Sequence, residues 1–463
     1  MFVDRHDNLS IAQDPTRMPA EILAQIFLSC LPPKPISSHQ PNTNIPPMNL
    51  CHICPYWRNV ALGTPRLWNS LYHVCYASAD VEDKDIFRYG LRPIDIEFLR
   101  WWAANIGPHP PTLRLEISSS SLAAPRPDLS QRDAAESNHK FILDLLASAE
   151  RLALGQLLCK IFTANTYKLI SPNLQSLLII NDNELDGFNY SLTDLLRGHW
   201  HPVQVYERLY IETLLIGSNF GSQLPWAPLT HVCINLKTLI SFWIRFLKNL
   251  PNLECGQFRL RLFDDDPPLF SGIILPRLRQ LSISCESKFV NKIFQGLTFP
   301  TLTGFRLYTD TFPVSGFNGL LRSTPALTEF HCGVQKPGRV ASPRVDPLST
   351  IIPDLKFLVI ELSNSKFLNS EWRENFLNSP WLNLRSENNR IQTVLFYWDR
   401  MVDQQILDII EAHLAELQIN GVEFRVDWKG KVATIFDNKP YKSKDFMHWD
   451  EDMGFYMEHT TKG

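Results

Sequence analysis

The fold is decided by a short stretch that recurs through the middle of the chain: PRLRQLSI at residues 276–283, PTLTGFRL at 300–307, PALTEFHC at 325–332 and PDLKFLVI at 353–360. Each copy begins with proline and continues as L-x-x-L-x-L, with Phe, Ile or Cys at some apolar positions. Because 44% of the residues are hydrophobic, one match has little weight, but a fixed proline offset at intervals of 24, 25 and 28 residues has much more. The sequence therefore predicts a repeat protein.

Further copies extend the pattern towards the amino terminus. Pro172 begins a full match, Pro251 begins one with Gly256 in the middle, and the copy at Pro228 is one residue short. The three apolar residues of L-x-x-L-x-L are expected to point inward from a short strand, and neighbouring copies to bury one another's apolar faces. This pattern resembles leucine-rich repeats. It predicts an α/β fold in which an irregular leucine-rich-repeat solenoid occupies residues 73–440.

Hydrophobic periodicity predicts the elements around these motifs. Helices are expected at residues 94–106, 141–150, 239–250, 290–297, 317–322 and 406–417, and additional strands at 112–117, 211–216, 391–398 and 422–428. The tail at 441–463, which mixes acidic and aromatic residues, is predicted to cap the last repeat.

Regular leucine-rich repeats carry asparagine three residues after the last apolar position. The residues at that position here are Asp182, Glu286, Asp310, Gln335 and Ser363. The repeats are therefore expected to be degenerate and unevenly curved.

Three blocks near the amino terminus form a second motif: MPAEILAQIF at 18–27, ICPYWRNVA at 53–61 and TPRLW at 64–68. The first predicts a helix that begins at Pro19 and ends before Pro32. Residues 32–47 contain six prolines and indicate a flexible insertion. Pro55 predicts that the following helix either begins at that residue or is kinked there.

In their order and separations these blocks resemble the F-box-like domain common in fungal proteins. That domain opens with L-P-x-E-I-L-x-x-I-F, continues with V-C-x-x-W-R-x-x-A and closes with T-P-x-L-W. Met18 replaces the usual leucine, and Pro55 and Tyr56 replace the usual basic pair. The resemblance implies a small helical domain at residues 17–72, preceded by a flexible tail at 1–16.

The resemblance further implies docking on a Skp-type adaptor, which joins such domains to a cullin-based ubiquitin ligase. The matching positions are Met18, Pro19, Ile22, Leu23, Ile26, Phe27, Ile53, Trp57 and Trp68. Some of them must form the small helical core, and Trp57 suits the core and the interface equally well. Because about 50 residues rarely form a stable domain alone, a partner is expected to stabilise it.

Outward positions of successive strand motifs provide candidates for binding a target protein, since the faces of repeat proteins commonly bind partners. These candidates are Arg279, Ser282, Arg306, His331 and Val359. Taken singly, each also suits an ordinary solvated strand surface.

The domain order resembles that of F-box and leucine-rich-repeat proteins. It implies a substrate-receptor subunit of an SCF ubiquitin ligase, in which the helices dock the adaptor and the repeats hold an unknown target. The chemistry then belongs to other subunits, so neither catalytic residues nor cofactors are expected. The alternative is a non-catalytic repeat scaffold unconnected with ubiquitin, whose amino-terminal helices cap the first repeat.

Composition argues against several other classes of protein. A net charge of −3 gives no general attraction to nucleic acid or anionic membranes. The nine cysteines show no spacing typical of a disulfide framework, which suits reduced thiols. No secretory signal or membrane-spanning segment is expected either. Together these features indicate a cytoplasmic or nuclear protein.

Two local patterns invite a metal or catalytic interpretation. Cys51 and Cys54 have the spacing of a zinc pair, but a structural zinc site needs four ligands and the sequence has no second pair. The acidic run 264–266 is followed by two prolines and indicates a solvated turn. No metal site is therefore expected, and the sequence contains no phosphate-loop, dinucleotide-binding or serine-hydrolase motif.

Overall fold

A computed structural model describes residues 18–31, 46–76, 91–118, 132–155, 173–180, 207–211, 226–261, 272–286, 290–294, 296–309, 321, 324–334, 347–362, 382–384, 389–398, 408, 412 and 421–428. The chain divides into two compact units, with the boundary between Leu152 and Ala153. Within the described ranges, no helix is both long enough and apolar enough to cross a membrane.

The first unit opens with three helices, α1 (Ala20–Cys30), α2 (Leu50–Ile53) and α3 (Pro55–Leu62), and a 3-10 turn at Pro65–Leu67. Helix α1 begins one residue later than predicted, because Pro19 is the residue before its first turn. Pro55 does not kink α3. It is the first residue of that helix, where its missing N–H group would have had no helical acceptor.

The rest of the first unit alternates strands and helices: β1 (Ser70–Tyr76), α4 (Pro93–Ile106), β2 (Thr112–Ser118), α5 (Arg132–Ala147) and the first two residues of β3 (Arg151–Gly155), within which the boundary lies. Strands β1 and β2 are parallel. The predicted helix at 94–106 and the predicted strand at 112–117 are thus confirmed, whereas α5 begins and ends earlier than predicted.

Gly107 explains how α4 ends. Its φ is +73°, a left-handed conformation that favours glycine. A Cβ atom there would also lie 2.8 Å from the Cβ of Pro65, so the residue allows α4 to approach the 3-10 turn.

The second unit contains a parallel sheet whose strands follow chain order. Its long strands are β4 (Ser176–Ile180), β5 (Arg208–Ile211), β6 (His231–Leu239), β7 (Cys255–Arg261), β9 (Gln280–Ser284), β11 (Gly304–Thr309), β12 (Glu329–Val334), β13 (Phe357–Leu362), β14 (Thr393–Trp398) and β15 (Glu423–Trp428). Two short strands, β8 (Ile273–Ile274) and β10 (Leu297–Thr298), form a separate parallel pair. The described helices of this unit are α6 (Ile240–Leu247), α7 (Val290–Phe294) and α8 (Leu348–Ile351). The α/β class is therefore confirmed.

The repeated proline occupies the second position of a β-turn that precedes the strand in the copies that begin at Pro251, Pro276, Pro300, Pro325 and Pro353. The N–H groups of Leu278, Leu302 and Leu327 donate to the carbonyl oxygens three residues earlier, at 3.4, 3.3 and 3.2 Å. Proline suits this position because its ring already fixes φ near the value that the turn requires. The turn directs the next leucine inward, which explains the constant proline offset.

The inward positions of the motif form the core of the sheet. Leu281, Phe305, Phe330 and Leu358 are neighbours across four strands, and the rings of the two phenylalanines stack with centroids 5.8 Å apart. All four side chains are at most 1% exposed. Every proline-led copy with described strand residues forms a strand, as the sequence predicts.

Other predicted elements have mixed outcomes. The strands predicted at 391–398 and 422–428 correspond to β14 and β15, and the helices predicted at 239–250 and 290–297 correspond to the shorter α6 and α7. Strand β5 shares only Ile211 with the range 211–216 predicted for it, and the rest of that range lies outside the described residues. Residues 1–16, the acidic run 264–266 and the tail 441–463 lie outside the described residues, as do most of the insertion and of the helices predicted at 317–322 and 406–417.

Candidate functional site

The nine positions implied to bind an adaptor fall into two groups. The first group is exposed: Met18 by 45%, Ile22 by 52%, Ile26 by 39% and Ile53 by 56%, together with Pro19. Ile22 and Ile26 are spaced four residues apart and therefore share one face of α1, and Met18 precedes the helix by two residues. We call these three residues the α1 stripe.

The second group lies beneath the first. Leu23, Phe27 and Trp68 are at most 2% exposed and belong to the core. Trp57 is half-buried, and its ring centroid lies 4.9 Å from that of Phe27. These side chains support α1 from inside, so only the exposed group is open to a partner.

Trp68 connects the helical segment to α4. Its indole N–H donates to the carbonyl of Ala61 at 2.9 Å, and the indole N–H of Trp102 donates to the carbonyl of Trp68 at 2.7 Å. The rings of Trp101 and Trp102 lie 5.1 and 5.0 Å from that of Trp68. Sequence reasoning did not identify this cluster, although the adjacent tryptophans within a predicted helix were its visible signal.

Two contacts hold the helices together and were also missed. The hydroxyl of Tyr56 donates to the carbonyl of Met18 at 2.7 Å, and Nε of Arg58 donates to the carbonyl of Cys51 at 2.8 Å. Tyr56 is one of the residues that depart from the F-box-like pattern. Its contact joins the start of α3 to the start of α1.

The cysteine pair has structural contacts. The sulfur of Cys54 accepts a hydrogen bond from the backbone N–H of Trp57 at 3.5 Å and so caps α3. Cys51 is buried, and burial raises the pKa of its thiol while the charge of Arg58 opposes the rise. Across the described segments, no cluster of three or more His, Cys, Asp or Glu side chains is arranged to hold a metal ion.

A second candidate site lies on the face of the sheet opposite to the core. Ser282, Arg306, His331 and Val359 are aligned across β9, β11, β12 and β13 in one register row. The structure thus brings four of the five predicted target-binding residues together. Arg279 is not part of the row. It precedes β9 and is exposed, and its carbonyl accepts the N–H groups of Thr303 and Gly304.

The row is buried, which differs from the solvated surface that the motif suggests. Ser282, Arg306, His331 and Val359 are only 4, 6, 1 and 1% exposed. Strands in a sheet lie about 4.8 Å apart, so side chains in one row pack against one another and limit access to solvent. Burial of an arginine requires polar partners, and those partners come from the neighbouring rows.

Tyr308 and Glu361 supply part of this polar surrounding. They lie two residues further along their strands, in the next row on the same face, with Gly333 between them on the middle strand. A Cβ atom at Gly333 would overlap the ring of Tyr308, so the ring passes directly over the glycine. Beyond it, the Tyr308 hydroxyl donates to Oε2 of Glu361 at 3.1 Å. We call Arg306, Tyr308, Glu329, His331 and Glu361 the β11–β13 network.

Burial and charge shift the titration of this network. Burial raises the pKa of Tyr308, the Glu361 carboxylate raises it further, and Arg306 opposes both. Burial also raises the pKa of Glu329, against the effect of Arg306. Burial lowers the pKa of His331, and the Arg306 charge adds to that effect. At neutral pH His331 is therefore uncharged, with its Nε2 3.7 Å from Oε1 of Glu329.

A third polar cluster lies inside the first unit. Nε2 of His73 lies 3.3 Å from Oδ1 of Asp95, and Nε of Arg92 donates to Oδ2 of the same carboxylate at 3.0 Å. His73 and Asp95 are 2% and 4% exposed. The cluster joins β1 to the first turn of α4, and its burial makes it a structural contact.

A search of protein-family models and of curated proteins found no match to this chain. The functional proposal therefore depends on the residues and contacts described above.

Proposed function

We propose that this chain is a substrate-receptor subunit of a cullin-type SCF ubiquitin ligase. Its amino-terminal helices form an F-box-like domain that docks a Skp-type adaptor, and its strands form a leucine-rich-repeat solenoid that holds a target protein. The observation that carries the proposal is the α1 stripe: large apolar side chains are exposed at the same motif positions that the resemblance assigns to the adaptor.

The free energy gained by burying the side chains of the α1 stripe favours binding to a partner. Complete burial of one isoleucine or methionine side chain stabilises by about 1.5 to 3 kcal/mol, and the free chain obtains only part of this for Met18, Ile22 and Ile26, which are 39 to 52% exposed. Single exposed apolar residues are common on protein surfaces, but three large ones within nine residues mark an interaction site more often. Ile53, exposed by 56% at the end of α2, adds a fourth apolar side chain to the helical segment.

The second unit supports the other half of the proposal. Parallel strands in chain order, a proline-led β-turn before five of them and a continuous row of inward leucines and phenylalanines are features expected of stacked repeats. A receptor of this kind contributes proximity between target and ligase, so it needs a binding surface and no reactive group of its own.

The test is co-purification of the full chain with a Skp-type adaptor. Ile26→Asp is expected to abolish binding, because it replaces an apolar side chain of the α1 stripe with a carboxylate. Asn59→Asp is the matched control: it introduces the same group at an exposed position of α3 and should leave binding unchanged. Failure of the wild-type chain to bind, or equal binding by Ile26→Asp, would contradict the proposal.

The scaffold alternative makes a different prediction for the same variants. If the helices only cap the first repeat, no adaptor is retained and Ile26→Asp changes nothing. Deletion of residues 1–72 is a poor test, because β1 begins at Ser70 and Trp68 packs against Trp101 and Trp102. Point variants at exposed positions avoid this loss of core contacts.

A further inference from the structure

We infer that the hydroxyl of Tyr56 is a positioning group that holds the start of α1 so that the α1 stripe presents one continuous face to the adaptor. The inference rests on the proposed function. Tyr56 departs from the F-box-like pattern, and the inference gives it a role. The hydrogen bond between Tyr56 and Met18, on which the inference depends, joins residues 38 positions apart.

The start of α1 depends on a contact from outside the helix. Residues such as Ser, Thr, Asp or Asn usually precede a helix and satisfy its first N–H groups. Here Pro19 has that position, and its side chain carries no hydrogen-bonding group. The first helical hydrogen bond runs from the N–H of Leu23 to the carbonyl of Pro19 at 3.0 Å. Met18 lies before this bond, so the helix itself does not fix its position.

Tyr56 fixes it instead. The Tyr56 hydroxyl donates to the Met18 carbonyl at 2.7 Å, and Met18 is the first member of the α1 stripe. Nine residues further on, Phe27 packs against Trp57, the next residue of α3. The two contacts are therefore separated by about two turns of α1 and the two residues that precede it. Buried Leu23 and Phe27 hold the body of α1 against the core, and the Tyr56 contact holds the residues before its first turn, which the helical hydrogen bonds do not reach.

The experiment compares Tyr56→Phe with the wild type in the full chain, because this substitution removes the hydroxyl and keeps the ring. The affinity for a purified Skp-type adaptor is measured by calorimetry, and amide hydrogen exchange of Leu23 and Ala24, the first hydrogen-bonded amides of α1, is measured without the adaptor. Tyr56→Phe is expected to weaken adaptor binding by roughly three- to ten-fold, the usual range for one lost hydrogen bond. It should also speed exchange in the first turn of α1, with little change in exchange elsewhere in the first unit.

Tyr72→Phe is the matched control, since Tyr72 lies on β1 and not in the helical segment. It should leave both measurements at the wild-type level. Unchanged adaptor affinity in Tyr56→Phe would overturn the inference while leaving the proposed function intact. Unchanged exchange in the first turn would also overturn it, because a weaker affinity would then arise from direct contact with the adaptor. A wild-type chain that does not bind the adaptor would instead overturn the proposed function.

Discussion

The α1 stripe and the β11–β13 network place opposite chemistry in opposite environments. The stripe exposes apolar side chains such as Ile22 to solvent, whereas the network encloses the charged side chains of Arg306 and Glu361. An exposed apolar side chain costs the free protein little and stabilises a complex once a partner covers it. A buried charge is tolerated only when its partners are already in place. The side chains of the α1 stripe are therefore accessible to a partner, whereas those of the β11–β13 network are shielded from solvent.

This difference predicts that variants in the two regions will have separable effects. Changes to exposed members of the α1 stripe should alter binding and leave folding intact. Changes to the β11–β13 network should alter the stability of the second unit and leave adaptor binding intact. Three experiments test this separation.

The largest effect on stability is expected for Phe27, the core residue of α1 that packs against Trp57. Phe27→Ala should destabilise the first unit by about 3 to 5 kcal/mol, because it leaves a cavity against Trp57. Ile22→Ala, five residues earlier and exposed by 52%, should change stability by less than about 0.5 kcal/mol yet weaken adaptor binding. Denaturant unfolding and hydrogen exchange of α1 measure the first quantity, and calorimetry with the adaptor measures the second. Equal destabilisation by both variants would show that Ile22 contributes to the core as much as Phe27 does, which would contradict the prediction.

An intermediate effect is expected at Gly333. Gly333→Ala should destabilise the second unit by about 1 to 3 kcal/mol, because its Cβ overlaps the ring of Tyr308. The double variant Gly333→Ala with Tyr308→Ala removes the overlap and should cost less than the sum of the two single variants. Denaturant unfolding gives all three values. Strict additivity would show that the ring does not pass over the glycine, and a loss of adaptor binding would show that the two regions are coupled.

The smallest effect concerns pH. Because burial lowers the pKa of His331, the unfolded chain binds a proton at this residue more readily than the folded chain. Stability from His331 is therefore complete above the unfolded pKa of 6.5 and is lost as the pH falls below it. Between pH 7.5 and 6.0 the loss should not exceed about 1 kcal/mol.

Comparison with His331→Gln isolates this effect from other titrating groups. The raised pKa of Glu329 has the opposite sign, since its contribution is complete below the unfolded pKa and is lost as the pH rises. The difference in unfolding free energy between wild type and His331→Gln should therefore shrink as the pH falls from 7.5 to 6.0. A difference that grows over this range would contradict the assignment of a neutral, buried His331.

Much of the repeat architecture was predictable because its signals are local. The proline before each of β7, β9, β11, β12 and β13 fixes a β-turn within four residues, and alternation within L-x-x-L-x-L selects the inward positions. The proline-led motif located β4, β6, β7, β9, β11, β12 and β13, and periodicity alone located β14 and β15, but β5 shares only Ile211 with its predicted range. The motif also predicted that Arg279 and the residues Ser282, Arg306, His331 and Val359 line one face. The last four share a register row, since equal motif positions in stacked copies are cross-strand neighbours, and Arg279 does not.

The candidate sites were only partly predictable because the burial of a side chain depends on residues that are distant in the chain. The sequence placed nine residues in one adaptor-binding set, but the packing of α1 on α3 divides them into exposed and buried groups. Likewise, helical spacing did not reveal that Trp102 donates to the carbonyl of Trp68, 34 residues earlier.

The sequence by itself determined the strands, their turns and the rows that their side chains form, because these depend on backbone preferences over a few residues. Tertiary structure alone decided which of those rows is open to solvent. The Tyr308 ring covers Gly333 because two strands pair in one register, and the Tyr56 hydroxyl reaches Met18 because α3 packs beside α1. Such contacts join residues distant in the chain, and their stabilisation exists only once the intervening elements have folded.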